Sequence, residues 1–374
     1  MQNIIFLIDR LDIGGTEKQL VLLLKNLDRD RFKPILITLR DSIYVESEDI
    51  QCDIHILNIN SIMSLDGVLS IFHAAKFIRK LRPVIIHTYF VDSALVGVIV
   101  GKILRVKGVI TSRRDLGFWF SKKTIFTMNV LNKFTDKIIV NSRAIKEYVE
   151  QTERIKKDKI EVIHNGIERI YGSEEIQRYR ELNRKKFAVS RTTKIIGIVS
   201  NLNRNVKRVD IFIKAAVKYL KKNDNVVFVI VGAGHLKDTL KQIIKKESEE
   251  EKFLFLGSIQ NPIEVICSFD VAVNTSETEG FSNSVIESMA HGVCTIASDN
   301  PGNKELIEND VTGVLFPVND VDALVDSLSY VLVDDEARTR LALTAREYVI
   351  NNFTLDNMIS KHERLYEEMC CLSR

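Results

Sequence analysis

The sequence predicts an α/β protein built from two doubly wound units in tandem. Three observations carry that expectation: short apolar runs of strand length alternate with longer stretches of helical period, the pattern starts again in the second half, and a charged stretch poor in large apolar residues separates the repeats. With 374 residues, 45% of them hydrophobic, the chain has material for two ordinary cores.

In the first half, residues 4–8 read as a buried strand, 18–27 as a helix, 35–39 as a strand, 71–81 as a helix, 84–87 as a strand and 95–104 as a helix, followed by strands at 109–112 and 138–140. In the second half, strands are expected at 195–199, 226–231, 253–256, 271–274 and 295–297, with helices at 210–220, 236–246 and 285–290. Such alternation makes a parallel sheet covered on both faces. Residues 168–191 carry many charges and no strand pattern, so a linker with a short helix is expected there, placing domains at 1–170 and 192–353 with the linker at 171–191. From 354 to 374, Leu355, Met358, Ile359, Leu365 and Met369 form the apolar side of a closing amphipathic helix.

Composition removes several function classes. A formal net charge of +3 does not suggest a dedicated nucleic-acid binder, although residues 1–170 hold 27 Lys and Arg against 20 Asp and Glu, leaving 26 against 30 in the remainder. Cys52, Cys267, Cys294, Cys370 and Cys371 make neither a CxxC pair nor a zinc spacing, which fits a reducing cytoplasm. The apolar runs are far shorter than the roughly 20 residues of a spanning helix, so membrane contact is expected to be peripheral. Gly14-Gly15 lacks the spacing of a dinucleotide fingerprint and Gly232-Ala-Gly234 lacks its third glycine, which weakens a dehydrogenase reading. Asp28-Arg-Asp30 lies in a polar turn and is not expected to bind metal.

In open parallel sheets ligands bind beyond the C-terminal strand ends, so the loops after strands carry the chemistry. The first holds Gly14-Gly15-Thr-Glu17, either a tight turn or a close backbone approach to a ligand at a helix start. Gly232 and Gly234 are open to the same two readings. After 195–199 come Arg204, Lys207 and Arg208, three cations within five residues that either form a solvated face or hold a diphosphate. The sharpest constellation is Glu279-Gly-Phe281-Ser282-Asn283-Ser-Val-Ile-Glu287, where a helix start near Asn283 offers N–H groups to an anion and Glu287, a turn further on, can accept from paired hydroxyls. The plainer alternative is two surface carboxylates and an N-cap.

Together these segments resemble glycosyltransferase family 4, retaining enzymes of the GT-B fold. The specific match is the E-x7-E motif from Glu279 to Glu287, continued by Ser-Met-Ala-His-Gly-Val. Gly14-Gly15-Thr-Glu17, His164-Asn-Gly-Ile167, residues 202–210, Leu256-Gly257 and Glu305-Leu-Ile with Gly313 match in order. The resemblance implies two Rossmann-like domains facing across a cleft, with the C-terminal helix returning to the first. It implies that Arg204 and Lys207 contact the donor diphosphate, Glu287 the ribose and Glu279 the hydroxyls of the transferred sugar. Phe281, Ser282, Asn283 and Gly15 would complete the cradle through their backbones, with Gly14, Gly232, Gly234 and Gly257 beside it. It also implies no cofactor or metal ion, a nucleotide-sugar donor, with UDP favoured, and a saccharide or lipid-linked acceptor in polysaccharide synthesis. Alternatives sharing the fold are a nucleotide-sugar epimerase, a phosphorylase or an inactive nucleotide-binding subunit.

The chain departs from the family pattern in having Ser200-Asn201-Leu202 before the basic segment and Lys207-Arg208 within it, which bears on which arginine meets the diphosphate. Thr111-Ser-Arg113-Arg114-Asp115 stands where many members carry a histidine, so Arg113 and Arg114 are candidate acceptor contacts, as are His87 and Trp119. The aromatics of Leu116-Gly-Phe-Trp-Phe120, beside Lys122 and Lys123, suit an anionic membrane surface at the inner face of the cell membrane or, alternatively, stacking on a soluble sugar. The helix that follows is expected to bury Phe126, Val130 and Phe134 at one-turn spacing in the core.

Overall fold

The computed structural model describes residues 1–371 apart from 13, 42–49, 60–61, 63–64, 118–119 and 154. The chain divides into two compact units, Met1–Gly166 with Leu355–Arg374, and Ile167–Thr354.

Among the described residues the first unit holds seven parallel strands: β1 (Gln2–Ile8), β2 (Phe32–Thr38), β3 (Asp53–Ile56), β4 (Ile85–Tyr89), β5 (Gly108–Arg113), β6 (Lys137–Val140) and β7 (Ile160–Val162). Their order is β3-β2-β1-β4-β5-β6-β7, so the winding direction reverses between β1 and β4. Strand alternation sends Ile4, Phe6 and Ile8 to one face, where they pack with Met358, Leu365, Tyr366 and Met369 of the C-terminal helix Leu355–Cys371. Ile5 and Leu7 face the other way, onto helices Leu65–Lys80, Val91–Leu104 and Lys122–Asn132. On the last of these helices the expected core stripe is on the wrong side. Met128 and Leu131 are buried, whereas Phe126, Val130 and Phe134 are exposed, because one-turn spacing defines a face without saying which way it points.

The second unit repeats the plan with β8 (Lys194–Val199), β9 (Val226–Val231), β10 (Phe253–Gly257), β11 (Val271–Asn274), β12 (Cys294–Ser298) and β13 (Val314–Phe316). The order β10-β9-β8-β11-β12-β13 is the 3-2-1-4-5-6 winding of nucleotide-binding sheets, with its switch point between β8 and β11.

The segment expected to be a linker belongs to this second unit. Residues Ser173–Lys186 form a helix whose Arg180 and Arg184 both pair with Asp270, and Arg184 also donates to the carbonyls of Ser190 and Thr193 at 2.7 and 2.8 Å. Arg180 and Arg184 are taken up by Asp270 and Glu175 by Arg169, whereas Glu174, Arg178, Lys185 and Lys186 are exposed, and this charged outer face is why composition alone suggests a linker. The units divide at 166/167 and 354/355, not at 171–191.

Candidate donor site of the second unit

The two loops leaving β8 and β11 emerge side by side at the switch point. The first is held by the loop after β9: Ser200 N–H donates to the carbonyl of Val231 at 2.9 Å, and Leu202 N–H to that of Ala233 at 3.0 Å. The approach is so close that a Cβ on Gly232 would lie 1.8 Å from the Ser200 carbonyl oxygen, and one on Gly234 2.2 Å from Leu202. Both glycines also have positive φ, +141° and +156°. Their requirement is therefore backbone against backbone, and Gly232 N–H extends the contact to the carbonyl of Gly257 at 2.8 Å.

Beyond Leu202 the chain makes a short 3-10 turn, Asn205–Lys207, before helix Val209–Leu220. Its three cations separate into different roles. Arg208 is bound to Asp210 at 3.0 Å, and Lys207 Nζ is 2.6 Å from Glu279. Arg204 is exposed and has no side-chain partner among the described residues, so its guanidinium is available to a ligand.

The β11 loop is stitched to that turn by Glu277 N–H donating to Val206 O at 2.8 Å and by Thr275 Oγ1 donating to Lys207 O at 2.9 Å. Glu279 Oε1 accepts from Lys207 at 2.6 Å, from Ser276 Oγ at 2.6 Å and from Asn274 Nδ2 at 3.4 Å. Burial pushes this carboxyl upward, but the Lys207 charge and the three donors outweigh it and hold it below its ordinary value. At neutral pH Glu279 is a carboxylate, equipped to accept hydrogen bonds and not to deliver a proton.

Helix Asn283–Ala290 begins directly after this loop. Ser282 is its N-cap by position, yet its hydroxyl makes no cap bond and accepts instead from Asn274 Nδ2 at 3.1 Å. The first-turn N–H groups have no carbonyl partner within the helix, as at any helix start, and the positive end of the dipole lies there. Phe281 is buried with its ring 5.4 Å from that of Phe353, so its side chain anchors the loop while its backbone stays at the helix mouth. Glu287 lies one turn into the helix and is buried. Its carbonyl oxygen accepts from His291 Nδ1 at 2.7 Å, while His291 Nε2 accepts from Tyr171 N–H at 3.3 Å.

Sequence reasoning missed the scaffold beneath these groups. Asn303 Nδ2 donates to Asn274 Oδ1 at 3.2 Å and Asn300 Nδ2 to Ser276 O at 2.9 Å, fixing the two residues that hold Glu279. The available signal was Asn300-Pro-Gly-Asn303 immediately after an apolar strand, a place where buried amides are rare without a task.

In the first unit Gly14 is the extended N-cap of helix Gly15–Asn26, and the Glu17 carboxylate occupies the space a Gly14 side chain would need. His87 is not a surface group. It lies fully buried in β4, 2.8 Å from Tyr366 Oη through Nδ1 and 2.8 Å from Ser112 Oγ through Nε2, tying the sheet to the C-terminal helix. Burial, with lesser contributions from His362 and Arg114, holds it neutral. Arg113 likewise points inward: alternation along β5 turns it toward helix Lys122–Asn132, where Nη2 meets Glu153 at 2.8 Å and Asn132 at 3.1 Å. Arg114 points to the opposite face, over the Tyr89 ring at 5.4 Å with Nη1 donating to Asn165 Oδ1 at 3.1 Å. It remains the partly exposed candidate of the pair, and Trp119 lies outside the described residues.

The geometry defines the class: two doubly wound α/β units, the second with cations, carboxylates and a helix start gathered at its switch point. The chain belongs to the glycosyltransferases. Residues 13–169 match the model for Glycosyltransferase Family 4 and residues 179–348 that for Glycosyl transferases group 1, together most of the sequence. It is 28% identical over 356 residues to a Campylobacter jejuni N-acetylgalactosamine-N,N'-diacetylbacillosaminyl-diphospho-undecaprenol 4-alpha-N-acetylgalactosaminyltransferase, covering 90% of this chain and 92% of that one. A Bacillus anthracis N-acetyl-alpha-D-glucosaminyl L-malate synthase is 31% identical over 222 residues, 59% of this chain and 57% of its own length. The crystal structure of Anabaena HepE in complex with UDP and glucose superposes with a TM-score of 0.86 at 21% identity, covering 98% of this chain and all of that one, and shows the GT-B fold.

Proposed function

We propose that the protein is a retaining, metal-independent glycosyltransferase that moves a sugar from a UDP-sugar to a saccharide or lipid-linked acceptor in cell-surface polysaccharide synthesis, working at the inner face of the membrane. The observation that carries this reading is the Lys207–Glu279 pair at the mouth of helix Asn283–Ala290, with Glu287 one turn inside. In this reading Arg204, Lys207 and the helix start receive the diphosphate, Glu287 accepts from the ribose hydroxyls, and Glu279 accepts from hydroxyls of the transferred sugar. The bond from the anomeric carbon to the diphosphate breaks as the acceptor oxygen bonds to the same face, and the acceptor proton passes to a phosphate oxygen. The protein's part is charge stabilisation and positioning, for which fixed cations suffice without a metal.

The donor choice is supported by the UDP and glucose bound in the HepE crystal, and the acceptor choice by the diphospho-undecaprenol named for the Campylobacter relative. Among the described residues no helix is long and apolar enough to cross a membrane. The test is a thermal-shift panel of nucleotide sugars, followed by transfer to a prenyl-diphosphate saccharide in EDTA and NMR of the product. Transfer with the donor's anomeric configuration kept is expected. An inverted product, or an absolute need for added divalent metal, overturns the corresponding part of the reading.

A further inference from the structure

The three helices Leu65–Lys80, Val91–Leu104 and Lys122–Asn132 lie side by side on one face of the first unit's sheet, and helical period decides what each turns inward. Ile71, Ala74 and Ile78, then Val96 and Val100, then Met128 and Leu131 pack on the strands. The outward sides are not polar. Leu69 and Phe72 stand exposed on the first helix, Ile103 on the second, and Phe126, with Phe134 just beyond, on the third; Phe72 and Phe126 are 61% and 68% accessible. Single exposed apolar residues are ordinary, but recurrence on every helix of one layer marks an interaction face.

The charges on this layer are mostly of one sign. The three helices contain Lys76, Arg79, Lys80, Lys102, Lys122 and Lys123 against Asp66 and Asp92, with Asp92 paired with Arg40 and Lys102 with Asp136. Lys76, Arg79, Lys80, Lys122, Lys123 and Lys133 are exposed, and none forms an ion pair among the described residues. Helical spacing puts Lys76 and Arg79 on the same side as Phe72, and Lys122 and Lys123 beside Phe126.

We propose that this three-helix layer docks the protein on an anionic lipid surface, with Phe72, Phe126 and Phe134 entering the interfacial zone and the lysines among the headgroups. Charge complementarity selects that occupant. A two-fold contact with a second copy would set this basic surface against itself, whereas anionic headgroups neutralise it. Apolar points spread over three helices suit a soft interface better than a rigid partner. The inference deepens the reading of an enzyme that works at a membrane, and it is tested without turnover.

The full-length protein is sedimented with phosphatidylcholine vesicles with and without phosphatidylglycerol, at low and high salt. Binding is expected only with phosphatidylglycerol and is expected to collapse in high salt. Lys122→Glu/Lys123→Glu weakens it roughly thirtyfold or more, from about a fivefold contribution per cation near such a surface. Phe72→Ser/Phe126→Ser weakens it at least about tenfold, with circular dichroism unchanged because both rings are already in solvent. The proposal is overturned if the wild type ignores anionic vesicles, if both double variants bind as it does, or if sedimentation velocity shows lipid-free self-association that the same variants abolish. Transfer to a water-soluble acceptor on the same preparations separates the two readings: an active enzyme indifferent to vesicles refutes the docking layer alone, and an inactive protein that binds them refutes only the proposed reaction.

Discussion

Replacing Lys207 with Met removes the charge opposite Glu279 while keeping a chain of similar reach. The backbone around it is held independently, by Glu277 N–H on Val206 O and Thr275 on Lys207 O, so the loop is expected to keep its course. At 2.6 Å the gross attraction is about 6 kcal/mol at an effective dielectric of about 20, before desolvation is subtracted. Loss of the partner is limited by an escape route, since Glu279 can take up a proton. From an ordinary value of 4.5 that costs about 3 kcal/mol at pH 7, and Ser276 and Asn274 still serve the carboxyl. A net loss of about 2 to 3 kcal/mol follows, or a fall of roughly 5 to 10 °C in the melting of a unit this size. The pH dependence has a definite sign. In the wild type the folded value of Glu279 is depressed, so its contribution is present above the unfolded value and lost as pH falls through the folded one. In the variant burial, the largest influence on this carboxyl, is opposed only by the Ser276 and Asn274 hydrogen bonds and raises the folded value, so the destabilisation is present at neutral pH and fades as the carboxyl protonates. Scanning calorimetry at pH 7 and near pH 4 should therefore show a gap between the two proteins that narrows on acidification. An equal gap at both, or none at pH 7, refutes the account of this pair.

Three further outcomes follow from the same geometry. On the proposed donor reading, in which Glu287 accepts from the ribose, Glu287→Ala should weaken binding of UDP by about tenfold to a hundredfold, as read by titration calorimetry on the folded variant. Arg113→Ala should destabilise the first unit by about 3 to 5 kcal/mol, because Glu153, 1% exposed, is left as a buried unpaired carboxylate, and Arg113→Ala/Glu153→Gln should recover much of that in chemical denaturation. Gly232→Ala should abolish soluble expression or nucleotide binding, since its Cβ meets the Ser200 carbonyl, whereas Gly257→Ala, with φ +73° and no atom within 4 Å of its Cβ, should lose only about 1 to 2 kcal/mol in thermal melting.

What was legible in the sequence follows from what leaves a periodic trace. Buried parallel strands are continuous apolar runs, so β1, β8, β9 and β11 stood out, while β3, β7 and β13, three or four residues long, did not rise above their surroundings. The E-x7-E segment was legible because its spacing coincides with a strand end and a helix start. The direction of a side chain was not. Arg113 and Arg114 are adjacent cations in the sequence, but strand alternation sends one to Glu153 and the other to Tyr89. His87 was readable only as a polar residue ending a strand, because its partner Tyr366 lies 279 positions away. The helix expected within residues 168–191 is present, but its packing into the second unit was not legible for a related reason: Asp270, which its arginines require, is far along the chain.

The second unit's candidate site rests on a buried network of polar side chains. Four of its polar residues, Asn274, Ser276, Ser298 and Asn300, are nearly inaccessible and bonded to one another or to the backbone, and Asn303 closes the network by reaching Asn274 and the Ser298 carbonyl. Buried amides and hydroxyls stabilise a fold only modestly, and unpaired they would destabilise it, so a fully apolar packing would serve stability as well. What the network does supply is position. It fixes Ser276 and Asn274, which fix the Glu279 carboxylate, which in turn holds Lys207, and the same loop leads into the start of helix Asn283–Ala290. Electrostatic catalysis depends on donors and charges that need not reorganise as charge develops on a leaving group. A chain of contacts running from buried amides to the cation beside the helix start meets that requirement, and it accounts for why so many polar side chains are buried beneath a surface loop.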